Sequence, residues 1–248
     1  MRVSVVVPAL NEEPRIGAAV SSAWSFGAAE VIVVDGGSGD ATCRIAAESG
    51  AEVLSSLPGR AVQQNAGAAV SSGEVLLFLH ADCRLPSGGV QQIETVLQDP
   101  AAVGGSFRQR IEDSGWMYRW LERGNAWRAG WRQVPYGDQG LFVRRSSFEA
   151  AGGFPEVPLM DDVMLARSLR RLGRLKLVEG PLEVDARRWQ QRGVIRQTLR
   201  NWCLLTAWRL GVSPQRLAGH YGMSTADGKG VDLSGCGHRI NRRNDPAM

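Results

Sequence analysis

Residues 3–13 read "VSVVVPALNEE". Four valines in five positions form a continuous β-branched run, the pattern of a strand covered on both faces in a parallel sheet. The residues after the run then decide which kind of α/β protein this is. A dinucleotide-binding domain carries G-x-G-x-x-G directly after its first strand. Here that place holds Pro8, Ala9 and Asn11, and glycines come only one strand later, as "GGSG" at 36–39. Binding of NAD is therefore a poor fit. Asn11 suits a helix N-cap, and Pro14 is tolerated in the first turn of the helix that follows.

The same unit recurs downstream. "EVIVVD" at 30–35 and "EVLLFL" at 74–79 are further apolar runs. Helical patterns separate them: 12–26, with Ile16, Val20 and Trp24 at helix spacing, then 41–49 and 61–70. Alternation of this kind predicts a right-handed, mostly parallel sheet flanked by helices, with ligands beyond the carboxyl ends of the strands. Those ends read "PALNEE", "DGGSGDAT" and "HAD".

The second half is less regular. A strand is expected at 103–111, and a Trp- and Arg-rich helix at 116–131 with an interruption near Gly124. "QGLFVRRSSFEAAGGF" reads as a strand, a short helix and a glycine turn. "DDVMLARSLRRLG" is a helix with Leu165, Leu169 and Leu172 on one stripe and Gly173 as its stop. A strand around 174–179 precedes a long basic helix from about 190 to 210. Residues 222–248, rich in glycine and charge without periodicity, read as a disordered tail.

Composition narrows the function. The 248 residues suffice for one large domain, and 29 basic against 25 acidic side chains leave a charge of only +4. A diffuse nucleic-acid binder carries a denser basic field. The four cysteines, Cys43, Cys83, Cys203 and Cys236, have no metal spacing, which with the lack of a signal-like apolar N-terminus points to a reducing cytoplasm. No run approaches the roughly 18 apolar residues of a spanning helix, so membrane contact would be peripheral.

Six motifs in order, "VVVPALNEE", "VIVVDGGSGDAT", "GRAVQQNAGA", "LHAD", "YGDQGLFVRR" and "MDDVMLARSLRRLG", resemble the family 2 inverting glycosyltransferases of the GT-A fold over about residues 3 to 220. More narrowly the chain resembles the small bacterial transferase 2 proteins of the radical-SAM/selenodomain-associated group, which keep "HAD" where most of the family has D-x-D. The resemblance implies one GT-A-like domain over 1–221, with a nucleotide-binding half to about residue 100 and an acceptor half beyond. It implies a nucleotide diphosphate sugar, a UDP-sugar by preference, and a hydroxyl acceptor. Pro8, Ala9, Asn11, Glu12 and Asp35 would hold base and ribose, while Arg60, Asn65, Ala81 and Arg188 would line the donor. Asp82 would hold a divalent cation, Mn²⁺ or Mg²⁺, with His80 in place of the first acid as a doubtful second ligand. For Asp35 a turn-forming role competes, and for Arg60 a solvated helix surface.

Asp161 and Asp162 open one helix, and neighbours there point about 100° apart. Asp162 falls on the inward stripe and Asp161 is placed to cap. In the family an acid pair here supplies the general base, which carries over to Asp162. Asp138, Gln139 and Trp189 would line the acceptor pocket. From Arg187 to Arg216 the chain has seven arginines and no acid. With Ile195, Leu199, Trp202 and Leu205 on one side, such a helix lies on anionic membranes or, more commonly, packs its apolar side on the domain. Two other readings stand against the transferase: a sugar-nucleotide pyrophosphorylase, which needs a basic Gly-rich loop where "PALNEE" is acidic, and a non-catalytic nucleotide-sugar sensor or membrane-associated scaffold.

Overall fold

A computed structural model describes residues 1–221, so the expected tail at 222–248 lies outside the described residues. The chain runs β1 (Val3–Ala9), α1 (Ile16–Phe26), β2 (Glu30–Asp35), α2 (Thr42–Glu48), β3 (Glu52–Ser55), α3 (Arg60–Val70), β4 (Val75–Phe78), β5 (Cys83–Arg84), α4 (Val90–Leu97) and β6 (Ala102–Ile111). It continues through α5 (Trp116–Trp131), a 3-10 turn (Gly137–Gln139), β7 (Leu141–Arg144), α6 (Arg145–Ala150), α7 (Asp161–Leu172), β8 (Arg174–Val184), α8 (Arg187–Arg192), α9 (Val194–Arg209) and α10 (Pro214–Tyr221). No described helix is long and apolar enough to cross a membrane.

The strands form one sheet in the order β3-β2-β1-β4-β7-β6-β8-β5. Strands β1 to β4 are parallel, as the β-branched runs require. Strand β7 is antiparallel to both β4 and β6, and β8 runs parallel to β6. The reversal at β7 brings the 3-10 turn in front of it to the rim where β4 ends, and β5 is antiparallel to β8 at the far edge. Two apolar clusters cover the sheet, one under α1 and α4 and the other under α3, α6 and α7. Helix α3 lies close enough on β1 and β2 that a Cβ at Gly67 would stand 2.4 Å from Val6 Cγ1 and 2.9 Å from Val34 Cγ2.

Several expectations need correction. Helix α5 continues through Gly124 without a break. The basic helix is two helices, parted at Gly193, whose φ of +79° falls where L side chains are strained. Strand β3 and helix α4 lacked a strong enough pattern to be anticipated. Leu172 is exposed rather than part of the inward stripe. Helix α1 starts at Ile16, so Asn11 is no cap; it sits at φ +53° in the loop before.

The largest departure concerns the apolar side of α9. Ile195, Leu199 and Trp202 are exposed, and Gln197 and Leu204 face the domain instead. Helix α5 exposes four more indoles, Trp116, Trp120, Trp127 and Trp131. At 100° per residue these lie within about 60° of arc.

Candidate active site

The loops after β1 and β2 are laced together by hydrogen bonds. Asp35, buried at the end of β2, accepts from the Gly37 and Ser38 amides at 2.9 and 3.0 Å and from Ser38 Oγ at 2.5 Å. Ser38 Oγ in turn accepts from the Asn11 amide, and Asn11 Oδ1 accepts from the Gly39 amide. The carboxylate of Asp35 therefore shapes a turn, the role that competed with base recognition. Beneath these loops Gln63 donates to the carbonyls of Ala9 and Val34, both at 2.8 Å, and ties the start of α3 to the first two strand ends. Sequence reasoning passed over Gln63, although it stands inside "GRAVQQNAGA". Asn65 spends both ends of its amide on the Phe154 backbone, so it fastens α3 to the turn after α6.

Arg60 and Asp161 meet in a forked ion pair, with Nε to Oδ2 at 3.0 Å and a second, shorter contact from Nη2 to Oδ1. Burial works against the Arg60 charge, but Asp161 and then Asp162 outweigh it and raise its pKa. Asp161 is thus the buried member of the acid pair and caps nothing. The residue before it, Met160, has φ +69°, a conformation that costs a non-glycine residue roughly 1 kcal/mol and is concentrated at functional sites.

Asp162 faces a cavity of about 130 Å³ together with Arg60, His80, Tyr136, Gly137 and Asp138. Its Oδ2 accepts from the Gly137 amide at 2.7 Å, and its Oδ1 from the Val163 amide at 2.7 Å. Burial pushes the Asp162 carboxyl above the usual carboxylate range; Arg60 opposes the shift and Asp161 adds to it. That suits a group that must take a proton near neutral pH. Asp138 Oδ1 is buried without a hydrogen-bond partner. Gln139 is buried, and its Oε1 accepts from Arg128 and from the Tyr136 amide, so it holds the turn rather than lining the pocket. Asn201, Leu204 and Leu205 of α9 close the far wall. Trp189 is packed in the core and does not reach the cavity. Arg188 falls outside the residues whose side chains are described.

The "HAD" residues divide. His80 opens on the cavity of Asp162, and a Cβ on Gly137 would stand 2.8 Å from its Nε2. Ala81 and Asp82 line another cavity with Arg15, Glu112 and Asp185. Over this region the segment after β8 folds back: the Asp185 amide donates to the Asp82 carbonyl, Arg15 bonds Asp185 at 2.5 Å, and Arg187 lies 3.5 Å from Glu12. Burial raises the Glu12 pKa, with Arg187 opposing and the Asp82 charge adding. Among the described residues no group of three or more His, Cys, Asp or Glu is placed to hold a metal ion. Glu12 Oε2, buried without a hydrogen-bond partner, and the Asp82 charge near it offer the oxygen donors that a hard cation takes when it keeps waters and binds phosphate. His80 lines the Asp162 cavity, whereas Asp82 lines the other.

The sequence profile of Glycosyl transferase family 2 matches residues 4–152. The chain belongs to this family. No curated protein matches. Among solved structures, the fold is similar to S. aureus TarS 1–349, at 16% identity and a TM-score of 0.59, over 75% of this chain and 61% of that one. TarS 1–349 has also been solved in complex with UDP-GlcNAc. Glucosyl-3-phosphoglycerate synthase from Mycobacterium tuberculosis, solved with Mn²⁺, UDP and glucosyl-3-phosphoglycerate, matches at 22% identity and a TM-score of 0.53, over 74% and 70% of the two chains. The present chain thus spans about three fifths of TarS 1–349. These likenesses bear out the GT-A-like α/β fold.

Proposed function

We propose that the chain transfers a sugar from a nucleotide diphosphate donor, UDP-linked by preference, to a hydroxyl acceptor with inversion. One observation carries this reading: Asp162, a half-buried carboxyl with a raised pKa, faces a cavity formed where the end of β4 meets the turn before β7. Asp162 takes the proton of the acceptor hydroxyl, and that oxygen attacks the anomeric carbon on the side opposite the departing diphosphate. The Gly137 amide fixes the carboxylate, and Arg60 favours its ionised form. Pro8, Ala9, Glu12 and Ala81 form the donor floor, and Arg187 beside Glu12 is placed to meet the diphosphate.

A divalent cation, Mn²⁺ or Mg²⁺, would be held by Asp82 with Glu12 beside it, and would neutralise charge on the diphosphate. His80 is better assigned to the acceptor wall than to the metal. In this reading residues 1 to about 100 serve the donor and the rest of 1–221 the acceptor. The "HAD" motif keeps the chain beside the radical-SAM/selenodomain-associated transferase 2 group. The exposed indoles of α5 and the exposed stripe of α9 support work at the cytoplasmic face of a membrane.

The reading is tested by incubating the full chain with UDP-sugars and Mn²⁺ and following sugar release by NMR. Slow release of the inverted anomer, lost in Asp82→Ala, is expected. Tight UDP binding without turnover would favour the sensor instead. If UDP affinity measured by calorimetry were the same with and without Mn²⁺, the metal role of Asp82 would fall.

A further inference from the structure

Beside the Asp162 cavity lies a second cleft, of about 330 Å³, into which five arginines project: Arg128 and Arg132 from α5 and its end, Arg167 and Arg170 from α7, and Arg209 from α9. Among the described residues no acidic side chain lines it. Among the described residues, none of the five makes an ion pair. Three elements far apart in sequence converge here and leave like charges facing each other. Burial lowers the Arg167 pKa, and the charges of Arg209 and Arg170 lower it further. Two of the five are held in place by aromatic rings: Arg128 lies 3.2 Å from the centre of the Tyr136 ring, and Arg167 lies 4.2 Å from that of Trp208. A solvated basic face would spread such charges apart, whereas a concave set of fixed guanidinium groups matches a phosphate, which they can grip in pairs.

The cleft is continuous with the site. Tyr136, Val163 and Leu205 line both cavities. On α7, Arg167 and Arg170 follow Asp162 by five and eight residues, about 7.5 and 12 Å along the axis at 1.5 Å per residue. We propose that the five-arginine cleft seats a phosphate group of the acceptor, whose hydroxyl then reaches Asp162 a few bonds away. The inference rests on the glycosyl-transfer reading and names the substrate class for it. Such a phosphate could belong to a small phosphorylated polyol or to a phospholipid headgroup, since the chemistry gripped is the same.

The test uses the full chain, saturated with UDP and Mn²⁺ so that the donor site is filled. Glycerol 3-phosphate is titrated in by calorimetry, with glycerol as the neutral control. Vesicles of phosphatidic acid, with phosphatidylcholine as control, supply the lipid arm. Arg170 and Arg209 are exposed, so Arg170→Gln/Arg209→Gln should fold, and unchanged UDP affinity verifies it. We expect binding of glycerol 3-phosphate but not glycerol, weakened at least tenfold in the double variant and less in Arg170→Lys/Arg209→Lys. Binding only to phosphatidic acid, with the same loss in the variant, supports the proposal with lipid as the source. Absence of both, or binding that the double variant retains, overturns it while UDP binding leaves the transfer reading intact. Phosphate binding without any UDP binding would overturn the acceptor role by removing the transfer reading beneath it.

Discussion

Arg60, the first residue of α3, grips Asp161, the first residue of α7, across 101 positions of sequence. The pair ties α3, which lies on the first two strands, to the helix that carries Asp162. The carboxylate is almost wholly buried, while the guanidinium is about one third exposed. The pair thus falls between exposed pairs worth at most about 1 kcal/mol and buried ones whose breaking costs about 3–5 kcal/mol. Asp161→Asn should cost about 2 kcal/mol in urea unfolding, with Arg60→Met/Asp161→Asn less than additive. The variant also removes a neighbouring negative charge, so the acid limb of its activity profile should move to lower pH.

Asp162 should betray itself through pH. Its folded-state pKa is raised, so the native chain holds a proton that the unfolded chain has released, and stability falls as pH rises through that window. Asp162→Asn should therefore melt higher than the parent at pH 7, and the gap should close below about pH 4, where the carboxyl is protonated in both states. Transfer should be lost while UDP binding stays. Near-normal turnover in this variant would remove Asp162 as the base.

Gly137 is the tightest point of the site. An added Cβ would meet His80 Nε2 at 2.8 Å and Cε1 at 3.2 Å, with Asp162 Oδ2 at 3.5 Å. Gly137→Ala should push the base and its amide donor apart and lower kcat about 100-fold, the scale on which small misplacements act. Its UDP affinity should hold. Shortening the opposing side chain, as Gly137→Ala/His80→Ala, should recover much of the rate; no recovery would mean that the imidazole is needed for itself.

The exposed indoles give a separate prediction. Trp120→Ala/Trp127→Ala should reduce co-sedimentation with anionic vesicles while leaving turnover of a soluble acceptor unchanged. Equal sedimentation with neutral and anionic vesicles would argue against an interfacial role for this face.

The first hundred residues of the fold were legible because their main strands are buried on both faces and their helices keep a 3.6 period. Valine runs betray β1 and β2 directly, whereas the four residues of β3 and the two of β5 carry no such pattern. The second half depends on pairings across long gaps, as between β6 and β8, which local periodicity does not encode. Among the site residues, Asp162 was found from its place in a motif, but the roles within the acid pair were not. Local helix geometry has no knowledge of Arg60, and its charge is what draws Asp161 inward. His80 and Asp82 are two apart, a spacing that strand alternation would put on one face; a turn at 81–82, closed by the Cys83 amide on the His80 carbonyl, sends them to different cavities, and alternation could not have separated them. Trp189 and Gln139 are placed at the acceptor pocket by the resemblance of their segments to the family's; in the structure Trp189 packs in the core and Gln139 holds the turn.

The reversal of β7 has a consequence for how this protein can change. Because β7 runs against β4, the Gly137–Gln139 turn stands at the rim, and the part of the Asp162 cavity formed by Tyr136, Gly137 and Asp138 belongs to the loop between α5 and β7 rather than to β1, β2 or β4. Substitutions in residues 132–140 would remodel that wall without altering the register of β1, β2 or β4. Under the proposed function, a lineage, or a protein engineer, would change what receives the sugar by altering this loop while the first strands stay fixed.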